Sequence, residues 1–145
     1  TDARFVREAV ECAIARKAAE AFAPEAIDTL RDLIAEQKVA AQAADPEGFF
    51  MLDEAYHRCL AEGAGCAYAW KVIGEAKAQM DRVRFLRLSE STPMDHLIAH
   101  HQDILDAIVA HAGDAAEEAM KIHLRGILQS LPRLEKAFPD LFEPG

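Results

Sequence analysis

The stretch FFMLDEAYHRCL, residues 49–60, places Asp53 and His57 four positions apart in a helical row that is otherwise apolar. Residues three and four apart share a helix face. His57 follows Phe49, Asp53 and Tyr56 and precedes Leu60, so the pair points where Phe and Leu point. His101 lies in the row Leu97, His101, Ile104, Leu105, Ile108, and His123 in the row Met120, His123, Ile127, Leu131, Leu134. An ionised carboxylate in an apolar interior is costly unless it is paired or bound to a metal. A divalent ion held by Asp53, His57, His101 and His123 answers both the carboxylate and the imidazoles. Three nitrogens and one oxygen suit Zn, Ni, Mn or Fe(II) without choosing among them. The bland alternative is a core histidine bonded to a backbone carbonyl, which is the default for any one of the three. His96 and His100 form a competing HxxxH pair on a more polar row with Asp103, where a solvated face is the simpler reading.

The elements that must position these side chains are all helices. Alternating strand patterns and Asn-Gly or Asp-Gly hairpin signals are missing from the sequence. Punctuation divides the chain into about six. The first spans Asp2 to Phe22, with Phe5, Val6, Ala9, Val10, Ala13 and Ile14 on one face. The second starts at Pro24, runs to Ala43 and buries Ile27, Leu30, Leu33 and Ile34. Asp45 caps the third, with Pro46 in its first turn, and EGAG at 62–65 ends it. The fourth runs from Cys66 to Leu88, with Ile73, Ala76, Met80 and Val83 in register. Ser91 or Thr92 caps the fifth, followed by Pro93 and by Asp95 near the positive helix end. HAGD at 111–114 separates it from the sixth, capped by Asp114 and ending near Lys136. Amphipathic helices joined by short loops predict an all-α fold, a single antiparallel helical bundle.

Bulk properties narrow the function classes. The chain has 145 residues, enough for one domain with a sizeable core. Its hydrophobic and charged fractions, 51% and 28%, are ordinary for a globular protein. Apolar runs fall well short of the roughly 20 residues a membrane span needs, and the start TDARFVREAV lacks a signal-peptide core. Acidic residues outnumber basic ones 25 to 16, for a net charge of −9. That is the wrong balance for gripping nucleic acid. Cys12, Cys59 and Cys66 form no CxxC and leave one unpaired, which suits reduced intracellular thiols. The chain does not begin with Met, as expected of a trimmed chain or of one domain of a longer product.

The patterns LDEAYHRCLAEGAG and HHQDILDAIVAHAGDAAEEAMKIHLRG, with FVREAVECAIARKAAE before them, resemble the C-terminal effector-binding (FCD) domain of GntR-type, FadR-subfamily transcription regulators. The resemblance covers nearly the whole chain. It implies an all-helical bundle over residues 1–145 for effector binding and dimerisation, in a cytoplasmic regulator. It implies a metal held by one Asp and three His, falling on Asp53, His57, His101 and His123, and a small organic acid bound at or beside that metal. The pattern R-x2-V-E places a carboxylate-binding arginine at Arg7, and Arg84, or its neighbour Arg82, is a second candidate. A guanidinium suits the role because its planar fork holds a carboxylate bidentately. For Arg7 the alternative is an exposed pair with Glu11; for Arg82, Arg84 and Arg87 it is a solvated face. Two departures bear on the pocket: Cys66 stands where the family has Asn, and His100 where it often has Glu. The resemblance further implies a homodimer and contact with DNA only through an N-terminal winged-helix domain that these residues do not contain.

Two other readings remain at this stage. An open metal site could activate water in a hydrolase. However, Glu54, the neighbour of Asp53, falls about 100° round the helix from the metal face. A structural bundle with satisfied core histidines needs no metal at all.

Overall fold

The computed structural model describes residues 2–76, 78 and 94–137, with side chains to residue 126. Its elements are α1 (Asp2–Glu20), α2 (Pro24–Gln42), α3 (Pro46–Gly63), α4 (residues 67–76), α5 (Met94–Val109) and α6 (Gly113–Ala137). Strands are absent among the described residues, and the fold is all-α as the periodicity predicts. The capping residues expected at 91–93, and Met80, Val83, Arg82, Arg84 and Arg87, lie outside the described residues.

Short connections and cross-helix pairs fix the directions. Glu8 meets Arg125 and Arg16 meets Glu117, so α1 and α6 run antiparallel. The Gln37 amide reaches Leu52, and the Cys59 thiol reaches the Ala26 carbonyl, which gives the same relation for α2 and α3. The Ala23 N–H at the head of α2 also donates to the Gly63 carbonyl at the foot of α3. Leu30, Ile34, Phe49, Leu60, Ile73, Ile104, Leu105, Ile108 and Met120 are all buried in one core. Each contributes about 1.5–3 kcal/mol relative to exposure.

The helix ends follow a repeated solution. Asp45 caps α3 by accepting from the Gly48 N–H at 3.0 Å. The C-terminal ends of α2, α3 and α5 each close with a residue at positive φ: Ala44 (51°), Gly65 (77°) and His111 (56°). In each the following N–H reaches back to a carbonyl five residues earlier: Asp45 to Ala40, Cys66 to Ala61, Ala112 to Ala107. This left-handed closure satisfies carbonyls that the helix leaves open. Glycine adopts it freely, and Ala44 and His111 do not. At His111 the imidazole recovers something, because Nδ1 lies 3.1 Å from the Ala19 carbonyl near the end of α1.

Two expectations are corrected. The apolar face expected for α1 is rotated: Phe5 is 74% exposed, and Ala9 and Ala13 also face out. The inward row is Arg7, Glu11, Cys12, Ile14, Ala15, Ala18 and Ala19. Small alanines let the backbone approach its neighbours closely, and the polar pair has partners inside, so apolar periodicity alone misplaced the helix. In addition, α6 starts at Gly113, so Asp114 sits inside its first turn and does not cap it. Its carboxylate pairs with Arg16 instead.

Ala44→Gly removes the left-handed strain at the end of α2, which is on the order of 1–2 kcal/mol. After the larger chain entropy of glycine is subtracted, a net gain of about 1 kcal/mol is expected, or roughly 2–4 °C in Tm at this size. Thermal unfolding followed by circular dichroism checks it.

Candidate metal centre

Three helices deliver the four inward polar side chains. On α3 the Asp45 cap and Pro46 start the helix, and its turns carry Phe49, Asp53, Tyr56, His57 and Leu60 to the core side. On α5 His101 sits among Leu97, Ile104, Leu105 and Ile108, and on α6 His123 follows Met120. Asp53, His57, His101 and His123 are all buried, at 2% exposure or less. One ligand atom from each lies within 4.8 Å of every other.

The closest separations involve the ring Nε2 atoms and one carboxylate oxygen. His57 Nε2 is 3.2 Å from His123 Nε2 and 3.3 Å from Asp53 Oδ1. His101 Nε2 is 3.1 Å from the same Oδ1. Ligand atoms about 2.0–2.1 Å from one ion stand roughly 3.0–3.4 Å from their neighbours. The three closest separations therefore match those around a small divalent cation.

The opposite edge of each imidazole is held, and these partners were not read from the sequence. His57 Nδ1 lies 2.5 Å from Glu11 Oε1 on α1. His101 Nδ1 lies 2.7 Å from Gln37 Oε1 on α2. His123 Nδ1 lies 3.4 Å from Nδ1 of His100 on α5. These contacts select a tautomer for each neutral ring. An ionised carboxylate only accepts, so His57 donates from Nδ1 to Glu11. The Gln37 Nε2 donates to the Leu52 carbonyl (3.4 Å), which turns its oxygen toward His101, so His101 also donates from Nδ1. In a neutral ring the other nitrogen is then a lone pair. With both rings neutral, the His57 and His101 lone pairs face the oxygen of Asp53, three acceptors around a common point. A proton can bridge one pair of them at a time, whereas a divalent ion meets all of them.

Tyr56 supports the ring of His101. The two stack with centroids 4.1 Å apart and 20° between planes, and the Tyr56 hydroxyl donates to the His101 carbonyl at 2.8 Å. Burial, with the charge of Asp53 adding to it, pushes the Tyr56 phenol well above its ordinary pKa, so it stays a donor.

Arg7 forms the pair with Glu11 that the spacing allows, but the pair is buried: Arg7 is 1% exposed and Glu11 2%. The Arg7 Nε donates to Glu11 Oε2 at 2.5 Å. Its two terminal nitrogens are buried and have no hydrogen-bond partner among the described residues. His96 is exposed, and His100 is half-buried against His123 instead of forming a solvated pair with it. Glu54 is half-buried beside Asp53. Arg84 falls outside the described residues. Cys66 is half-buried at the start of α4, where its thiol contacts the Ala64 carbonyl.

An all-helical bundle with a buried Asp and three His defines the class, and the comparisons give the family. Residues 2–126 match the family model of the FCD domain, and the chain belongs to that family. It is 35% identical over 138 residues to the HTH-type transcriptional repressor RspR of Escherichia coli (strain K12), covering 95% of this chain and 60% of that protein. The uncharacterized HTH-type transcriptional regulator YdfH of Shigella flexneri matches to the same extent. An uncharacterized HTH-type transcriptional regulator in an unstable DNA locus of Streptomyces ambofaciens is 34% identical over 141 residues, 97% of this chain and 59% of its own length. The chain thus spans about 60% of the length of these curated relatives.

Tyr56→Phe removes the hydroxyl bond to His101 and keeps the ring. We expect a loss of about 1 kcal/mol in urea unfolding with an unchanged m-value.

Proposed function

We propose that this chain is the ligand-sensing domain of a bacterial transcription regulator of the GntR type, FadR subfamily. It binds a divalent transition metal through Asp53, His57, His101 and His123 and takes a small organic acid at or beside that metal. The observation that carries the reading is the convergence of His57 Nε2 and His101 Nε2 on the Asp53 oxygen, with the far edge of each ring held by Glu11 or Gln37. Zn, Ni, Mn and Fe(II) are all compatible with this donor set.

When bound, the ion supplies a Lewis-acidic centre that draws carboxylate oxygens. The chain's own residues do the rest. Glu11 and Gln37 hold His57 and His101 as Nδ1–H tautomers, which aims Nε2 inward and raises its basicity. The Arg7 terminal nitrogens are buried donors without partners among the described residues, and a carboxylate is the group they fit. Arg84 is the second arginine proposed for the acid. The domain acts as a homodimer, and its DNA contacts come through an N-terminal winged-helix domain in a cytoplasmic protein. Acid binding shifts the relative placement of two subunits only by its differential affinity for the two arrangements. The relatives' names place them among regulators, which favours sensing over hydrolysis.

Protein purified without added metal is expected to carry about one divalent ion per chain by elemental analysis, and Asp53→Ala or His123→Ala to carry none. A ligand at about 100 times its Kd stabilises by roughly 2.7 kcal/mol. Zinc or nickel added to stripped protein therefore raises Tm by about 5–10 °C. A calorimetric screen of sugar acids, hydroxy acids and dicarboxylates should find binding to loaded protein that is lost on stripping and in Arg7→Met. Equal binding by stripped and loaded protein would contradict the metal-centred reading.

A further inference from the structure

Glu11 presents one oxygen to His57 and the other to Arg7. Oε1 takes the proton-bearing Nδ1 of His57, and Oε2 takes Nε of Arg7. The carboxylate is buried, so water does not compete for either oxygen. Among the described residues the guanidinium uses Nε, and its terminal nitrogens are without partners. We propose that Glu11 is a positioning residue that couples Arg7 to the metal centre. It holds His57 as the Nδ1–H tautomer, and how strongly it does so depends on what else Arg7 binds. This inference rests on the metal-centred reading above.

The direction of coupling follows from the shared charge. Among the described residues, Arg7 donates its hydrogen bond to Glu11. A carboxylate bound at the terminal nitrogens satisfies the guanidinium and leaves more of the Glu11 charge for the His57 Nδ1–H. A stronger acceptor there makes Nε2 a better ligand. An acid at Arg7 therefore tightens the metal, and by linkage the metal tightens the acid equally. The relay crosses from α1 to α3 through one side chain and needs no movement of either helix.

Glu11→Gln separates this from a packing role. The amide has the same size but one oxygen and one NH2. Arg7 can only donate, so it takes the amide oxygen and turns the NH2 toward His57. That ring must then accept at Nδ1 and carry its proton on Nε2, pointing at the metal position. Zinc affinity, measured by competition with a chelator, is expected to fall about 10–100-fold. Adding Arg7→Met removes the demand on the oxygen, lets it return to His57, and restores most of the loss. In metal-free protein, 15N NMR should find His57 as the Nδ1–H tautomer in the parent, Nε2–H in Glu11→Gln and Nδ1–H again in the double variant. Circular dichroism confirms that each variant is folded.

Parent-like zinc affinity in folded Glu11→Gln would overturn the proposal, as would a loss that Arg7→Met leaves untouched. If the parent bound no zinc, the metal-centred reading would fail. The tautomer pattern in metal-free protein would still decide whether Glu11 links Arg7 to His57.

Discussion

The bundle is organised around one electrostatic constraint: Asp53 and Glu11 are carboxylates inside a helical core, and neither is tolerable there without positive charge or donors. Glu11 is answered by Arg7 and by the His57 N–H. Asp53 is met by the Nε2 edges of His57 and His101. A cation held between them would join these groups into one centre. Metal affinity would then be partly folding energy, because an ion would stabilise the packed state and find no preformed site in the unfolded chain.

That constraint reaches beyond the helices that carry the ligands. Glu11 ties α1 to the site, Gln37 ties α2, and His100 adds a second contact from α5. Holding Arg7 and Glu11 inward fixes the rotation of α1, which leaves Phe5 outside. The outer edge of the same helix is secured to α6 by Arg16 with Glu117 and by Glu8 with Arg125. Those exposed pairs contribute little stability individually, but they set the antiparallel register of α1 on α6. The buried Cys12 belongs to the same face; desolvation, with nearby acidic groups, pushes its thiol up to about 12, so it packs as a small neutral group.

Much of this was legible in the sequence, and the limits have physical causes. Asp53, His57, His101 and His123 could be picked out because each interrupts a row of Leu, Ile, Phe or Met, where a polar residue is conspicuous. Glu11 and Gln37 could not, because such residues ordinarily face water on an amphipathic helix and only tertiary contact places them inside. His100 was assigned to a solvated face for the same reason: its row is polar, and the partner that half-buries it is on another helix. The α1 face was misread because alanine is ambiguous. Ala9 and Ala13 look as apolar as Ala15, Ala18 and Ala19, yet only the latter three are buried. Helix ends were read well where a side chain does the work, as at Asp45, and less well at α6, where Asp114 serves Arg16.

The central claim is that three specific imidazole nitrogens and the Asp53 carboxylate converge to hold one cation. The most direct measurement is a zinc titration of metal-free protein followed by 15N NMR of the ring nitrogens of all six histidines. The account requires the Nε2 resonances of His57, His101 and His123 to shift together and saturate at about one equivalent of zinc, with Nδ1 of His57 and His101 protonated throughout. Shifts confined to His96, His100 or His111, or no change in the three inward rings, would contradict it.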